Sequence, residues 1–324
     1  MSDPAPETRL PLPLKTRFGA WPARVVARRT LRKALGRAGI DPRVPGPAVA
    51  ADGAGAYFSG RALRWTHAGD VLEVTLHRAP CNEIGTTMLA ELEALAAYVR
   101  AGAGGAQALL MHSAIERGCS AGADLRELHA GLLGRSEASP LAIAREVRGF
   151  LDRIHAVMDT LDQAPLTTVA AVHGVVFGGG FELALTADVI VADKSARFAF
   201  PELRLGLVPG FGGIPRLRRD VGNAVVRDLL LTGRSLNATR AQGVGLVSQV
   251  VGRGKALQAA RGVATQATRF DADTTRLAKR FAKPLPRAEL EREKDLFVEM
   301  LARPVVLDAL TKFVESDDVR PYLP

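Results

Sequence analysis

The sequence predicts an α/β protein with an α-helical C-terminal region, and three features indicate this. From Arg64 onward, short apolar runs of strand length alternate with segments of helical periodicity. Several of the apolar runs lead through a glycine-rich turn into a helix. From about Lys255 the spacing is helical, with interruptions at Pro284, Pro286 and Pro304. Alternating strands and helices followed by helices alone indicate an α/β core with an α-helical appendage.

The length and composition suit a globular protein in a reducing compartment. The chain has 324 residues, 47% of them hydrophobic and 24% charged, which is enough to bury a large core. Cys81 and Cys119 are its only cysteines, and neither has metal-ligand spacing. We therefore predict packing thiols, a cytoplasmic location and no metal site. No apolar run reaches the length of a membrane span.

The positive charge is concentrated at the N-terminus. Residues 1–63 contain eleven Lys and Arg against four Asp and Glu, which gives +7 of the total net charge of +9. This stretch is rich in Pro, Gly and Ala, and a short basic helix is predicted at 24–38. We therefore predict three regions: a basic arm over 1–63, a core over 64–270 and a helical region over 271–324. Nucleic acid or an anionic membrane surface is a candidate partner of the arm.

The elements of the core follow from hydrophobic spacing along the chain. Strands are expected where short apolar runs occur, at 71–76, 108–112, 169–172, 188–192, 197–200 and 246–251. Helices are expected where apolar residues recur on one face, at 86–100, from about 123, and at 147–161, 181–187 and 221–231. Residues 132–140 are predicted to form a variable loop, and 206–213 a Gly/Pro-rich turn.

The clearest strand–turn–helix junction centres on three consecutive glycines. Gly178, Gly179 and Gly180 separate the strand at 169–172 from the helix at 181–187. The free amides of a helix's first turn attract an anion or a developing oxyanion, and glycine lets a ligand approach the backbone closely. Glu182 lies about one helical turn after Gly179, which suits a site where an enolate forms while a neighbouring group moves a proton.

Two further segments offer matching chemistry. In Cys119-Ser-Ala-Gly-Ala-Asp-Leu125, small residues lead into a helix, so the amide of Ala123 lies at or just before the helix N-terminus. Asp124 is placed to stabilise that first turn. In Phe200-Pro-Glu202, the proline ends an apolar strand, and a carboxyl in apolar surroundings has a raised pKa and can act as an acid.

These three segments, in this order, resemble the crotonase (enoyl-CoA hydratase/isomerase) superfamily. Its signatures are matched by Ser120-Ala-Gly-Ala-Asp-Leu125, by 173–184 and by Phe200-Pro-Glu202 with 206–217. Residues 78–83 also resemble the early segment that contacts coenzyme A. The resemblance covers residues 64–324. It implies a crotonase-like spiral of repeated ββα turns, with C-terminal helices that form trimers, often paired into hexamers.

The resemblance also implies roles for individual residues. The amides of Ala123 and Gly179 would form an oxyanion hole for a thioester carbonyl, and Glu182 and Glu202 would be the catalytic glutamates. Contacts with the acyl-CoA substrate are implied for Ala79, Cys81, Ala121, Gly122, Ala123, Asp124, Leu125, Gly178 and Gly179. No cofactor is implied beyond the coenzyme A that belongs to the substrate.

The retained pair of glutamates favours a hydratase, which adds water reversibly to a 2-enoyl thioester. Three alternatives stay open: a Δ3,Δ2-enoyl-CoA isomerase with Glu202 as the proton shuttle, an enzyme acting on a carrier-protein thioester, and a polyanion-binding protein that uses the basic arm. The carrier-protein alternative rests on a departure from the family pattern. Phe313-Val-Glu315 is followed by Ser316, Asp317 and Asp318, where many members have a lysine that meets the coenzyme's phosphates. A second departure places Glu83 where an apolar residue is usual.

The remaining polar candidates give weaker signals. The six histidines show no acid partner at useful spacing, and His173, just before a signature turn, is predicted to be structural. Arg216, Arg218 and Arg219 form either a solvated basic cluster or a phosphate-binding group, and the sequence does not choose between them.

Overall fold

Two β-sheets form the framework of the computed structural model, which describes residues 58–134 and 140–316. The larger sheet has seven strands, in the order β1 (Phe58–Ser59), β2 (Leu63–Ala68), β3 (Val71–Leu76), β4 (Ala108–Ser113), β6 (Thr167–Val172), β8 (Val189–Asp193) and β11 (Gln249–Val251). The smaller sheet has four strands, in the order β10 (Leu236–Asn237), β9 (Arg197–Ala199), β7 (Val175–Phe177) and β5 (Gly118–Ser120).

The chain visits the two sheets alternately. Strand β4 is followed by β5, β6 by β7 and β8 by β9, so each pair places one strand in the larger sheet and one in the smaller. From β3 to β11 the larger sheet is parallel, as is the β5–β7–β9 part of the smaller one, and antiparallel pairs occur at β1–β2–β3 and at β10–β9. Repetition of this step stacks successive turns of the chain, which confirms the predicted mixed α/β fold.

Helices follow the strand pairs and continue to the end of the described chain. They are α1 (Thr86–Arg100), α2 (Leu125–Leu133), α3 (Pro140–Asp162), α4 (Gly179–Ala184), α5 (Gly213–Val221), α6 (Asn223–Thr232), α7 (Ala238–Gly243), α8 (Ala256–Ala267), α9 (Ala272–Ala282), α10 (Arg287–Leu301) and α11 (Pro304–Glu315). Short 3₁₀ turns lie at Ala103–Gly105 and Glu202–Leu205.

The core is apolar and lies between the sheets and these helices. Helix α1 shows why the periodicity matters, because Leu89, Leu92 and Leu95 recur on one face and are all fully buried. Each such side chain contributes about 2 kcal/mol by leaving water. A second apolar cluster joins the smaller sheet to α4, α5, α6 and α7, and a third lies under α8. Val176 and Phe181, on either side of the glycine turn at Gly178, both belong to the second cluster, which packs the strand and the helix that the turn joins.

The C-terminal helices fold back onto the core. Helix α10 packs on α3 and α5, and α11 packs on α2 and the 3₁₀ turn at Glu202–Leu205. His129 of α2 lies 3.0 Å from the Thr311 hydroxyl of α11, which marks one of these contacts. As a result, helices from the end of the chain surround the junctions that the sequence singled out.

Several element boundaries differ from the predictions for local reasons. The helix expected at 221–231 begins at Asn223, because Gly222 has φ +85° and separates α5 from α6. The strand expected at 246–251 is only Gln249–Val251, since Leu246 and Val247 are buried in the apolar cluster instead. Strands β1, β2, β5, β7 and β10 were not predicted; all of these except β2 have two or three residues, too few to show periodicity.

Two predictions fall on parts of the chain outside the description. The basic helix at 24–38 lies outside the described residues, as does most of the arm at 1–63. Of the loop predicted at 132–140, residues 132–133 belong to α2, residue 140 begins α3, and 135–139 lie outside the described residues.

Candidate active site

A small cavity lies where the glycine turn meets the other two predicted segments. Its volume is about 50 Å³. Backbone and carboxyl groups line one side: Ala121, Ala123, Gly178, Gly179, Glu182, Pro201 and Glu202. Apolar groups line the other: Leu125, Leu128, Leu205, Leu207, Gly210, Phe211 and Phe297. The cavity therefore combines a polar wall with a pocket for an apolar group.

Two backbone amides on the polar wall are available to a ligand. Ala123 comes just before α2, and Gly179 begins α4. Among the described residues, neither N–H donates a hydrogen bond. The two lie close together, because a Cβ built on Gly179 would be 3.4 Å from the Ala123 nitrogen. Two converging donors at helix starts form the kind of site that stabilises a developing oxyanion.

The glycine at 178 is required by the backbone and by the neighbouring carboxyl. Gly178 has φ +49° and ψ −127°, a conformation that L side chains rarely adopt. A Cβ there would lie 2.6 Å from Oε1 of Glu202. At the next residue, a Cβ on Gly179 would lie 2.6 Å from the ring of Phe211. Glycine thus lets the turn approach both the acid and the apolar wall.

The Ala123 junction is held by a polar framework behind the cavity. Asp124 stabilises the first turn of α2, as predicted, and does so as its N-cap: its carboxylate accepts a hydrogen bond from the Glu127 N–H at 3.1 Å. The same carboxylate pairs with Arg78 at 2.8 Å. The backbone of Ile84 bonds to both sides of Ala123, donating to the Gly122 carbonyl and accepting from the Asp124 N–H. These contacts leave the Ala123 amide between two fixed neighbours.

Glu182 is a buried carboxylate with a defined orientation. Its Oε1 accepts hydrogen bonds from the N–H groups of Phe211 and Gly213, both at 2.8 Å. The side chain is almost completely buried. Burial raises the pKa of Glu182 to about 7, against the opposing effect of the two backbone N–H groups. A carboxyl that titrates near neutrality can take up or release a proton under ordinary conditions.

Glu202 is less tightly held. Part of the residue is accessible to solvent, but Oε2 is buried and receives no hydrogen bond from the described residues. Burial of the carboxyl raises the pKa of Glu202 well above its ordinary value, and the charge of Glu182 raises it further. Glu202 therefore favours the protonated form more strongly than an exposed glutamate does, and its carboxyl faces the cavity beside Glu182.

A third buried glutamate, not predicted from the sequence, adjoins the site. Glu293 of α10 accepts hydrogen bonds from the Gly212 N–H at 2.6 Å and from the Ile214 N–H at 2.9 Å. Burial raises the pKa of Glu293 well above its ordinary value, and the charge of Glu182 adds to the effect. The spacing of Leu290, Glu293 and Phe297 on one helical face is the signal that indicates this burial.

The structure brings most of the predicted site residues together. Ala121, Ala123, Leu125, Gly178, Gly179, Glu182 and Glu202 all line the cavity. Ala79, Cys81, Gly122 and Asp124 do not, and their contact with substrate stays a prediction. Cys81 is buried and its carbonyl accepts from the Ala121 N–H at 2.9 Å, so it supports the junction from behind. Phe211, Phe297 and Leu128 also line the cavity, and the sequence did not indicate a role for any of them.

Both cysteines behave as the packing thiols that were predicted. Burial raises the pKa of the Cys81 thiol to about 11 and that of Cys119 to about 12. His173 is structural, with Nε2 2.9 Å from the Ile115 carbonyl.

Two expectations about charged residues were wrong. Arg216 is neither solvated nor open to a phosphate: it is fully buried, and it pairs with Asp159 and Asp162 at 2.5 and 3.1 Å. His112 does have an acid partner, because its Nε2 lies 3.1 Å from Glu73. Sequence spacing missed both because the partners come from other elements, a distant helix for Arg216 and the adjacent strand for His112.

Comparison with known proteins gives the family. The sequence profile of the enoyl-CoA hydratase/isomerase family matches residues 66–320. The chain belongs to this family. A probable enoyl-CoA hydratase of Rhizobium meliloti is 34% identical over 252 residues, which cover 76% of this chain and 92% of that protein. A probable enoyl-CoA hydratase of Mycobacterium tuberculosis is 39% identical over 153 residues, which span only 60% of its length.

Solved structures agree with the family assignment. An enoyl-CoA hydratase from Bacillus anthracis superposes with a TM-score of 0.61 at 27% identity, covering 78% of this chain and 96% of that chain. A carnitinyl-CoA hydratase from Mycobacterium avium superposes with a TM-score of 0.64 at 26% identity, covering 79% and 97%. The predicted crotonase-like fold is thereby confirmed. Across 58–134 and 140–316, no helix is both long and apolar enough to cross a membrane.

Proposed function

We propose that this family member is an enoyl-CoA hydratase, which adds water reversibly across the double bond of a 2-enoyl-CoA. The observation that carries the proposal is the meeting of two carboxyls and two amides at one cavity, where neither amide donates a hydrogen bond to any residue in 58–134 or 140–316. The amides belong to Ala123 and Gly179, and the carboxyls to Glu182 and Glu202. Relatives named as hydratases support the same substrate class.

The amides act on the thioester carbonyl. When its oxygen accepts hydrogen bonds from both N–H groups, negative charge that develops on it is stabilised, and Cβ becomes electrophilic. Loss of one such donor costs about 3 kcal/mol of transition-state stabilisation in comparable sites. The apolar wall, with Phe211 and Phe297, takes the acyl chain.

Each of the two carboxyls carries out one proton transfer. The Glu182 carboxylate accepts a proton from a water molecule while the water oxygen forms a bond to Cβ. The carbonyl then re-forms as Cα takes a proton from the Glu202 carboxyl. The different pKa values support this division, since Glu202 favours its protonated form more than Glu182 does. Hydration changes no oxidation state, so we expect no redox cofactor, and because the two amides stabilise the oxyanion we expect no metal either.

The test is turnover of a panel of 2-enoyl-CoA substrates, followed by loss of the conjugated thioester absorbance. Wild-type protein should hydrate at least one of them. Glu182→Gln should lower kcat by about 10²- to 10⁴-fold, the usual contribution of a general base. Glu299→Gln, an exposed position on α10, is the matched control and should keep full activity. If Glu182→Gln hydrates 2-enoyl-CoA as fast as the wild-type protein does, the two-glutamate mechanism is refuted.

The isomerase alternative rests on Oε2 of Glu202, which is buried and has no hydrogen-bond partner in the described part of the chain. A single carboxyl of this kind can move a proton between the two ends of an allylic system. Turnover of 3-enoyl-CoA that withstands Glu182→Gln but not Glu202→Gln would favour the isomerase. Turnover of carrier-protein thioesters without any of the CoA esters would favour the third alternative.

We also propose a homotrimeric or hexameric assembly in the cytoplasm. Helix α9 supports the assembly, because it buries no residue and exposes Leu277 and Phe281 to solvent. An apolar stripe of this kind is typical of a surface that a partner covers. The scarcity of cysteine supports the location. Light scattering on the purified protein tests the assembly.

A further inference from the structure

Four consecutive backbone amides beside the cavity alternate between two buried carboxylates. The N–H groups of Phe211 and Gly213 donate to Glu182, and those of Gly212 and Ile214 donate to Glu293. We name residues 211–214 the amide turn. It leads into α5, so the positive end of that helix also faces both carboxylates.

The amide turn touches both halves of the proposed machinery. Two amides of the turn orient Glu182. The ring of Phe211, which also belongs to the turn, forms the part of the apolar wall beside Gly179. Displacement of the turn would therefore move the carboxylate and the wall together. Of the two carboxylates that hold it, only Glu182 lines the cavity.

We propose that Glu293 is a positioning residue for the reaction: by fixing the amides of Gly212 and Ile214, it sets where the other two amides of the turn hold Glu182. The inference rests on the proposed function, because it assigns Glu293 a part in the same proton transfer. Glu293 belongs to α10 and lies 81 residues after Gly212 in the chain, so this contact fastens a C-terminal helix to the amide turn.

The charged groups around Glu293 give it an electrostatic effect as well. Glu182 and Glu202 face it, and its charge raises the pKa of Glu202. Arg216 is the cation that faces it from α5, with Nη1 donating to the carbonyls of Phe211 and Gly212. From α3, His155 contacts the Gly210 carbonyl, and burial lowers the pKa of His155 to about 3, so it is neutral.

Lys294 does not neutralise the Glu293 carboxylate. Lys294 adjoins Glu293 in sequence, but its ammonium pairs with Asp152 and Glu291.

Two substitutions separate the two effects of Glu293. Glu293→Gln keeps the length but removes the charge, and its NH₂ group meets a backbone donor, so one of the two hydrogen bonds is lost. Glu293→Asp keeps the charge but is one methylene too short to reach both amides. Both should lower kcat on the order of 10- to 100-fold with a smaller change in KM, as expected for a displaced catalytic group. The control is again Glu299→Gln.

The pH profile distinguishes positioning from a purely structural role. In the pH range where Glu293 is ionised, Glu293→Gln removes a negative charge beside Glu182 and Glu202. Both carboxyls then ionise more readily, so the limbs of the kcat/KM profile in that range should move to lower pH. In Glu293→Asp the limbs should stay nearer the wild-type pH. Wild-type kcat and pH limbs in folded Glu293→Gln would overturn the proposal. If the Gln variant does not fold, wild-type kcat in Glu293→Asp would overturn it instead.

A measurement without substrate keeps this inference separate from the proposed function. If wild-type protein hydrates no 2-enoyl-CoA, the proposed function fails, whatever Glu293 does. The titration of the buried carboxyls can still be followed by infrared difference spectroscopy. A shift to lower pH in Glu293→Gln supports the coupling between Glu293 and the cavity carboxyls, and an unshifted titration contradicts it.

Discussion

Substitution of Glu182 by glutamine should stabilise the protein above neutral pH although it lowers kcat. Both hydrogen bonds to Glu182 end on Oε1, so the carbonyl oxygen of a glutamine can accept both of them. The substitution therefore keeps the contacts with the amide turn and removes the buried charge. The stability of the variant measures what it costs to ionise Glu182 in the folded protein.

The magnitude follows from the pKa of Glu182. Its rise from an ordinary value of 4.5 to about 7 means that the folded protein binds the proton more tightly than the unfolded chain does. This contribution to stability is complete below pH 4.5 and is lost as the pH rises through about 7. At roughly 1.36 kcal/mol for each pH unit, the wild-type protein loses about 3 kcal/mol over that range, and the variant does not.

Denaturant unfolding at about pH 5 and about pH 8, at one fixed protein concentration, tests this expectation. The advantage of Glu182→Gln over wild type should be small at the lower pH and should approach 3 kcal/mol, as an order of magnitude, at the higher one. Glu299→Gln should show no such dependence on pH. If Glu182→Gln is no more stable than wild type at about pH 8, ionisation of Glu182 does not destabilise the folded protein, and burial does not raise its pKa.

Three other changes have specific expected outcomes. Phe297→Ala enlarges the apolar wall, so kcat/KM should shift toward longer 2-enoyl chains, with a stability loss of about 3 kcal/mol. Gly178→Ala places a methyl group 2.6 Å from Glu202 Oε1 at a φ of +49°, so kcat should fall and the protein should lose more than about 1 kcal/mol of stability. Deletion of residues 1–57 should leave enoyl-CoA turnover unchanged and abolish salt-dependent binding to heparin, because most of the net charge lies there.

The two point substitutions each have a matched control. Leu296→Ala alters an exposed apolar side chain on α10 and should leave chain-length preference unchanged. Gly131→Ala, where an added Cβ meets nothing within 4 Å, should leave kcat unchanged. Heparin binding that persists without residues 1–57 would remove the arm as a polyanion site. An unchanged chain-length profile in Phe297→Ala would place the acyl chain elsewhere.

The sequence was sufficient for the parts of the site that are local in the chain. Gly179 and Glu182 share one strand–turn–helix junction, and Ala123 lies at another, so their geometry follows from nearby residues. Glu202 follows a strand that ends at a proline in the same way. Ordered motifs of this kind also indicate the family from the sequence alone.

The parts that were missed depend on contacts between distant segments. Helix α10 is rich in Glu, Lys and Arg and is similar in composition to a solvated helix, but Glu293 points into the core. Arg216 likewise lies on a polar-looking helix, and it is buried only because Asp159 and Asp162 come from α3. Burial of a charged side chain is a tertiary property, and local composition does not encode it.

Helix α10 contributes to the site in two ways, and both depend on its docking onto the core. Phe297 closes the apolar wall and Glu293 fastens the amide turn, although the other cavity residues all precede position 212. Contacts this distant in sequence form late, because a long loop must close before they contribute free energy. During synthesis, the cavity therefore stays incomplete until α10 has left the ribosome and docked. A nascent chain that ends before α10 has neither the closed apolar wall nor the fastened amide turn, so both arise together with the finished fold.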